Sequence, residues 1–322
     1  MSESTVSVRR ASVDNISALV ELAATSLEWD PAEPHEAMFR WKHLDNPAGA
    51  SAMWLAFVGD RAVGFRTMMH WEFLHDRSTP IRAVRAVDTS THPDFRRLGI
   101  FRTLTMAAVE ELTHDRVDFV FNTPDPHSKA GYLTMGWQDL GRVQVRFFPT
   151  RIRGPIRTVR ARTPAGIWSE PCSAGDPVED IADDLAGLSH ALVSHALGRR
   201  GLATSHTGEY FRWRYGFEPL AYRVIRTDDA AAVIRVRRRG PAVEIVVAEL
   251  LAPSRIAAEA VLRKVRHQVE ADHILVAAGG VAPLPPMLPL PGAGPGLVVR
   301  SLASHAPSRS ELLFSLGDVE VF

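Results

Sequence analysis

Apolar positions along the first half of the chain recur at two spacings, and the switches between them mark out the expected elements. Val6 and Val8 alternate with polar residues, which predicts a short strand over residues 5–9. Ser12, Asp14 and Asn15 then offer capping side chains to a helix carrying Ile16, Leu19, Val20 and Leu22. A second short helix is expected over 34–42, followed by strands over 52–58 and 62–70 joined through Gly59-Asp60-Arg61. A further strand through Val84 and Val87 enters a polar turn, His92-Pro93 and Arg96-Arg97-Leu98-Gly99. The helix after it carries Phe101, Leu104, Ala108 and Leu112 at spacings of three and four. Residues 118–122 read as a strand, 128–135 as a short helix stopped at Gly136, and 137–149 as one more strand or a pair.

The pattern then starts again. Phe39-Arg40-Trp41-Lys42, with Pro47 beyond it, reappears as Phe211-Arg212-Trp213-Arg214 with Pro219 at the same offset, which divides the chain near its middle. Each copy is followed by a hairpin and a third strand; in the second half these are 222–226, 231–237 and 243–251, then a helix over 254–269 and a strand over 273–277. The expected organisation is a first domain over 1–150, a linker over 151–177 rich in Arg, Pro, Gly and Ser, and a second domain over 178–322. Pro283, Pro285, Pro286 and Pro289 exclude a helix there and predict an extended loop. Residues 311–322 are expected to supply a last strand to one of the sheets.

Composition narrows the class. With 46% apolar and 23% charged residues in 322, the chain is globular, and its zero net charge offers nucleic acid or anionic lipid no general attraction. One cysteine, Cys172, excludes an internal disulfide, the start MSESTVSVRR has no apolar stretch for a signal peptide, and no run approaches the apolar length of a spanning helix. The expectation is a cytoplasmic protein, monomer or homodimer, without nucleic-acid or membrane partners. Metal is not expected either, because the 13 histidines do not stand at ligand spacings from Cys or carboxylates, and His190 with His195 fits a solvated helix face.

The chemistry concentrates between Val87 and Leu112. The first four N–H groups of a helix lack intrahelical partners and lie at the positive end of its dipole, so a loop wrapping tightly into a helix can hold a pyrophosphate on backbone donors. Gly99 allows close approach, since a Cβ there would stand between backbone and ligand, and Arg96, Arg97 and Arg102 add charge suited to phosphate.

This stretch resembles the pyrophosphate loop of the GNAT superfamily of acyl-CoA-dependent N-acyltransferases, Q/R-x-x-G-x-G/A, matched by Arg96, Gly99 and Phe101. Phe101 departs from the small residue of the pattern, so its side chain must point away from the cofactor. Tyr132-Leu133-Thr134-Met135-Gly136-Trp137 is similar to the family's Y-x-x-x-G-F. The resemblance implies an α/β (α+β) fold of two tandem GNAT-like domains, each a mixed, mostly antiparallel central sheet flanked by helices. The second would lack the loop, since only Ala-Pro-Ser-Arg stands between Leu251 and Ile256.

The same resemblance implies acetyl-CoA as acyl donor, held by Ser90, Thr91, Arg96, Arg97, Leu98, Gly99, Ile100, Phe101, Arg102, Asp125 and Ser128. Ser90 and Thr91 would pair with the pantetheine arm as with an extra strand, and Asp125 stands where the family often has Asn. Tyr132 would be the acid that protonates the leaving thiolate, and Asp88 the base that frees a small-molecule amine for attack, with Glu28, His70 and His92 as weaker candidates. A second reading, suggested by Phe101 and Asp125, keeps the donor pocket without acceptor chemistry, as in a regulatory or scaffold protein.

Overall fold

The computed structural model describes residues 6–75, 80–151, 164–196, 201–290, 292–303 and 306–319. In the first half, β1 (Val6–Arg10) pairs antiparallel with β2 (Ala52–Val58), and β2 with β3 (Arg61–Leu74). Alternation along β2 assigns its two faces. Met53 and Leu55 join α1 (Ile16–Ser26) and α2 (His35–Leu44) in a cluster with Leu19, Ala23, Phe39 and Phe65, while Ala52, Trp54 and Ala56 join a second cluster. That second cluster is built on Leu104, Ala108 and Leu112 of α3 (Ile100–His114) and Tyr132 of α4 (Pro126–Thr134). Each fully buried Leu or Phe contributes about 1.5–3 kcal/mol, so α3 is held to the sheet chiefly by its apolar stripe.

One glycine sets how closely α3 sits. A Cβ on Gly64 of β3 would lie 2.7 Å from Ile100 Cγ2 and 3.4 Å from Leu104 Cδ1, so its absence admits the first turn of α3 onto the strand. Next to β3 runs β4 (Pro80–Thr91), whose parallel pairing with β5 (Phe119–Asn122) covers only Ala83–Arg85 against Phe119–Phe121. Beyond that point β4 continues to Thr91 without β5.

The two compact units are not consecutive segments. The first takes the chain to Glu72, then Ile81–Leu140 and Val298–Pro307; the second takes Phe73–Pro80, Gly141–Leu297 and Ser308–Phe322. After β6 (Gln138–Arg142), β7 (Gln144–Pro149) was expected to close the first domain but pairs with β13 (His273–Ala278) in the second sheet. In its stead β15 (Gly296–Ser301) pairs with β5 in the first sheet. An alternating strand specifies a buried face but not the sheet that covers it, so sequence periodicity could not make this distinction.

The second unit follows the repeat closely. Its sheet runs β14-β7-β13-β12-β11-β10-β8, built from β8 (Asp176–Pro177), β10 (Arg223–Arg226), β11 (Ala231–Arg239), β12 (Ala242–Leu251) and β14 (Leu288–Pro289) with β7 and β13. Helices α5 (Val178–Ala196), α6 (Gly208–Tyr215) and α7 (Arg255–Gln268) accompany it, and β9 (Ala203–Thr204) pairs with Phe73–Leu74. Of the expected linker, residues 152–163 lie outside the described residues. Its remaining part is tied to the second unit through Gly166 N–H to Arg238 O, Glu170 N–H to Val236 O, and β8.

Residues 311–319, the described part of the expected last strand, form no strand. Leu312 makes one bridge to Leu202, and Leu316–Val319 is a short buried helix, α8; residues 320–322 lie outside the described residues. Ser315 and Asp318 cap each other reciprocally, Ser315 N–H donating to Asp318 Oδ2 at 2.7 Å and Asp318 N–H to Ser315 Oγ at 3.2 Å, which favours the helical turn. No helix among the described residues is long and apolar enough to cross a membrane.

Substituting Gly64 by Val would force the strand and the first turn of α3 apart. Urea denaturation of Gly64→Val is expected to show a loss of about 1–3 kcal/mol; an unchanged midpoint and slope would mean that the contact does not seat α3.

Candidate active site

The end of β4 that β5 does not cover delivers the chain to a shaped turn. His92 Nδ1 accepts from Asp94 N–H at 3.3 Å while its Nε2 meets Arg61 at 2.9 Å, so the imidazole organises the Pro93–Phe95 turn, as a turn residue should. Arg97 (φ 69°) and Gly99 (φ 74°) are both left-handed. Gly99 occupies the N-cap position of α3 with no capping side chain, and the first turn of α3 contains no acidic residue. The N–H groups at that end therefore have neither intrahelical partners nor a side-chain acceptor from the cap. A Cβ on Gly99 would meet nothing within 4 Å, so the space outside the turn is open.

Arg96, Arg97, Leu98, Gly99 and Arg102 are exposed around this opening. Ile100 is buried on Gly64 and can serve a ligand only through its backbone. Phe101 solves its mismatch with the loop pattern by turning inward, its ring edge-on to Tyr132 at 5.3 Å and against Gly131. Ser90 and Thr91 lie, half-buried, on the stretch of β4 that β5 does not cover.

Tyr132 is packed between Phe101 and Trp137, whose ring centroid lies 5.2 Å away. Below it, unforeseen from sequence, lies Arg66 of β3. Its guanidinium carbon is 5.3 Å from the Tyr132 ring and 5.8 Å from Phe101, and its side-chain nitrogens are buried without hydrogen-bond partners. Ring faces offer such a cation up to about 2 kcal/mol. Asp125 departs from its expected role. Its Oδ1 accepts from His127 N–H at 2.7 Å and Ser128 N–H at 3.1 Å, and its Oδ2 accepts from Ser128 Oγ at 2.6 Å. The carboxylate caps α4, and both Asp125 and Ser128 are engaged with each other.

Asp88 also differs from expectation. Lys42 Nζ is 2.5 Å and His43 Nε2 2.7 Å from its Oδ2, and His43 Nδ1 pairs with Ser51 Oγ at 2.9 Å. Burial alone would raise the Asp88 pKa, but the Lys42 charge and the hydrogen bonds from His43 and Lys42 hold it well below the usual carboxylate range. Burial depresses His43 below the ordinary histidine value. A carboxylate so held is a poor proton acceptor, which argues against the base role and makes Asp88 the anchor of α2 on β4. Neither partner was picked out as such from sequence, although both stand in the Phe39–Pro47 repeat.

Within the second unit the repeat reproduces this anchor. Tyr215 Oη donates to Glu249 Oε1 at 2.6 Å, so Tyr215 and Glu249 answer to His43 and Asp88, and Arg214 answers to Lys42. The opening is reproduced too: β12 pairs with β13 only over Glu244–Val247, and beyond it lies a small cavity of about 30 Å³, room for about one water. Leu313, Ser315, Leu316 and Asp318 of the chain's own end line that pocket. The helix start beside it is served by its own cap, Ala257 N–H donating to Ser254 Oγ at 3.1 Å, in contrast to the uncapped start of α3. The fold also assembles what spacing did not show: ligand atoms of His206, Glu249 and Asp318 lie within 4.8 Å of one another.

Residues 7–139 match the family described as acetyltransferase (GNAT) domain. No curated protein matches the sequence. Among solved structures, the fold is similar to a GCN5-related N-acetyltransferase from Kribbella flavida (TM-score 0.65, 14% identity, 92% of this chain and 71% of that one). It is likewise similar to a conserved protein of unknown function from Enterococcus faecalis V583 (0.63, 10%, 92% and 73%). A third is a GCN5-related N-acetyltransferase from Anabaena variabilis ATCC 29413 (0.59, 11%, 93% and 73%). At such identities the likeness concerns the fold, and it extends over both halves of the chain.

Removing the Asp88 charge leaves Lys42 buried and unpaired, so Asp88→Asn is expected to cost about 3 kcal/mol at pH 7. Because the folded-state pKa is lowered, this stabilisation is present above the ordinary aspartate value and is lost as pH falls below about 4. Denaturation across pH 3–7 should show a shallower acid-side decline in the variant than in the wild type; parallel curves would contradict the assignment.

Proposed function

We propose, for a chain that carries a GNAT acetyltransferase domain in its first half, that acyl transfer here runs from acetyl-CoA to the primary amine of a small molecule by direct attack. One observation carries this reading: the uncapped start of α3 at Gly99, standing at the end of the part of β4 that has no β5 neighbour. A diphosphate fits the free N–H groups from Ile100 onward, with Arg96, Arg97 and Arg102 supplying charge, and an amide-bearing arm fits the backbone at Ser90 and Thr91.

In this reading the amine nitrogen attacks the thioester carbonyl carbon, a C–N bond forms, and the C–S bond breaks. Tyr132 gives its phenolic proton to the departing sulfur, the nitrogen releases one proton to solvent, and the Tyr132 phenolate takes one back from solvent, which restores the balance. Asp88 takes no proton; with Lys42 and His43 it fixes α2 against β4. The neutral overall charge fits an uncharged or singly charged small acceptor better than a polyanion. A second reading, acyl-CoA binding without transfer, draws on the burial of Tyr132 among apolar neighbours.

The two readings separate in a thiol-release assay with acetyl-CoA and a panel of amines. The enzyme reading expects amine-dependent release, slowed at least 100-fold in Tyr132→Phe while coenzyme A affinity stays within twofold. An unaltered rate would remove Tyr132 from the mechanism, and no release with any amine would favour the binding protein. For Gly99→Glu, calorimetry should find coenzyme A affinity reduced tenfold or more, about 1.4 kcal/mol; undiminished binding would remove the diphosphate from this turn.

A further inference from the structure

The second unit contains a buried polar cluster that the proposed transfer reaction does not use. His206, Glu249 and Asp318 come from three separate stretches of chain and line the pocket beyond the β12–β13 pairing. Their side chains are almost wholly enclosed, His206 at 7% exposure and Glu249 at 3%, with Asp318 at 1% as a residue. His206 Nε2 is buried and has no hydrogen-bond partner, although it faces Glu249 Oε1 at 3.6 Å. An enclosed ring nitrogen without a hydrogen-bond partner is costly.

Every other feature of the cluster holds these groups in place. His206 Nδ1 pairs with Ser189 Oγ at 2.8 Å, which fixes the ring and leaves Nε2 towards the carboxylates. Glu249 Oε1 accepts from Tyr215 Oη at 2.6 Å and from Ser315 Oγ at 2.8 Å. Asp318 accepts from Thr204 Oγ1 and from Ser315 N–H. Outer hydrogen bonds that orient an imidazole and two carboxylates in this manner accompany metal ligands. With metal–ligand bonds of about 2.0–2.2 Å, tetrahedral ligand atoms stand roughly 3.4 Å apart. The His206–Glu249 distance of 3.6 Å matches that edge, and the mutual limit of 4.8 Å leaves Asp318 within reach after a small closure.

We propose that His206 Nε2, Glu249 and Asp318 bind one first-row divalent cation of the Zn2+ or Mn2+ class. The ion neutralises the carboxylate pair, gives Nε2 its missing partner, and takes its remaining ligand as water from the pocket. One imidazole with two carboxylates is a mixed nitrogen and oxygen set suited to either ion. Since Asp318 lies on α8, the ion also ties the end of the chain into the opening where the second unit has no cofactor loop. The site is independent of the acyl-transfer reading, and loss of either leaves the other standing.

The test uses the full-length, tag-free protein stripped with chelator and dialysed. Titration with ZnCl2 and, separately, MnCl2 in a calorimeter is expected to show one equivalent of at least one ion bound. His206→Gln and Asp318→Asn should each weaken that binding at least tenfold. Amide exchange of residues 313–319 should slow on addition of the ion to the wild type and not to the variants. Failure of the stripped wild type to bind either ion overturns the proposal without recourse to variants. Binding of unchanged affinity in folded His206→Gln and Asp318→Asn also overturns it, by placing the ion elsewhere.

Discussion

The parting of β4 from β5 after three residue pairs is the constraint on which the first unit depends. β5 is four residues long and gives way to the capped start of α4, whereas β4 is twelve residues long and runs on. Backbone groups on the uncovered side of β4 need a partner, and one that brings its own amides can lie there as a strand would. Gly64 then matters because it seats α3 on β3, so that the helix start faces the same opening. Phe101 and Tyr132 are packed from within by Arg66, which leaves the turn at Arg97–Gly99 to face outward. A missing strand neighbour thus sets an uncovered stretch of β4 before an uncapped helix start.

The two halves show which part of this arrangement a repeat preserves. Helix and third strand are latched the same way in each, by His43 to Asp88 and by Tyr215 to Glu249, although the ring and the acid both differ. The opening between parallel strands also recurs. What differs is the helix beyond it: α3 begins at a bare left-handed glycine, whereas α7 begins at a serine that satisfies its own backbone. In the second unit residues near the chain end line the opening, and a histidine and two carboxylates meet inside it. The latch is thus part of the fold, and the uncapped helix start is the feature specific to the first unit.

Much of this was readable from residues. The elements of the first half, the turn at Arg96–Gly99, the inward direction of Phe101 and the repeat all follow from spacing and side-chain type, because each is set by neighbours in sequence. What escaped reading depends on partners far along the chain. The exchange of β7 and β15 between sheets is invisible to an alternating pattern. Asp88 looked like a base because its strand position is local information, whereas the charges of Lys42 and His43 arrive from α2. Arg66 and the His206 cluster were hidden for the same reason. Two misses did carry a local signal: Asp125 followed by Ser128, and Ser315 followed by Asp318, both have the spacing of helix caps.

The central claim is that the backbone at the start of α3 and the uncovered end of β4 hold the donor. Hydrogen–deuterium exchange of the full-length protein with and without coenzyme A reads those amides directly. The account predicts slowed exchange in two segments, 88–92 and 97–103, with the corresponding start of α7 unaffected. Saturating coenzyme A that leaves both segments unprotected, or protects the α7 start instead, would contradict it.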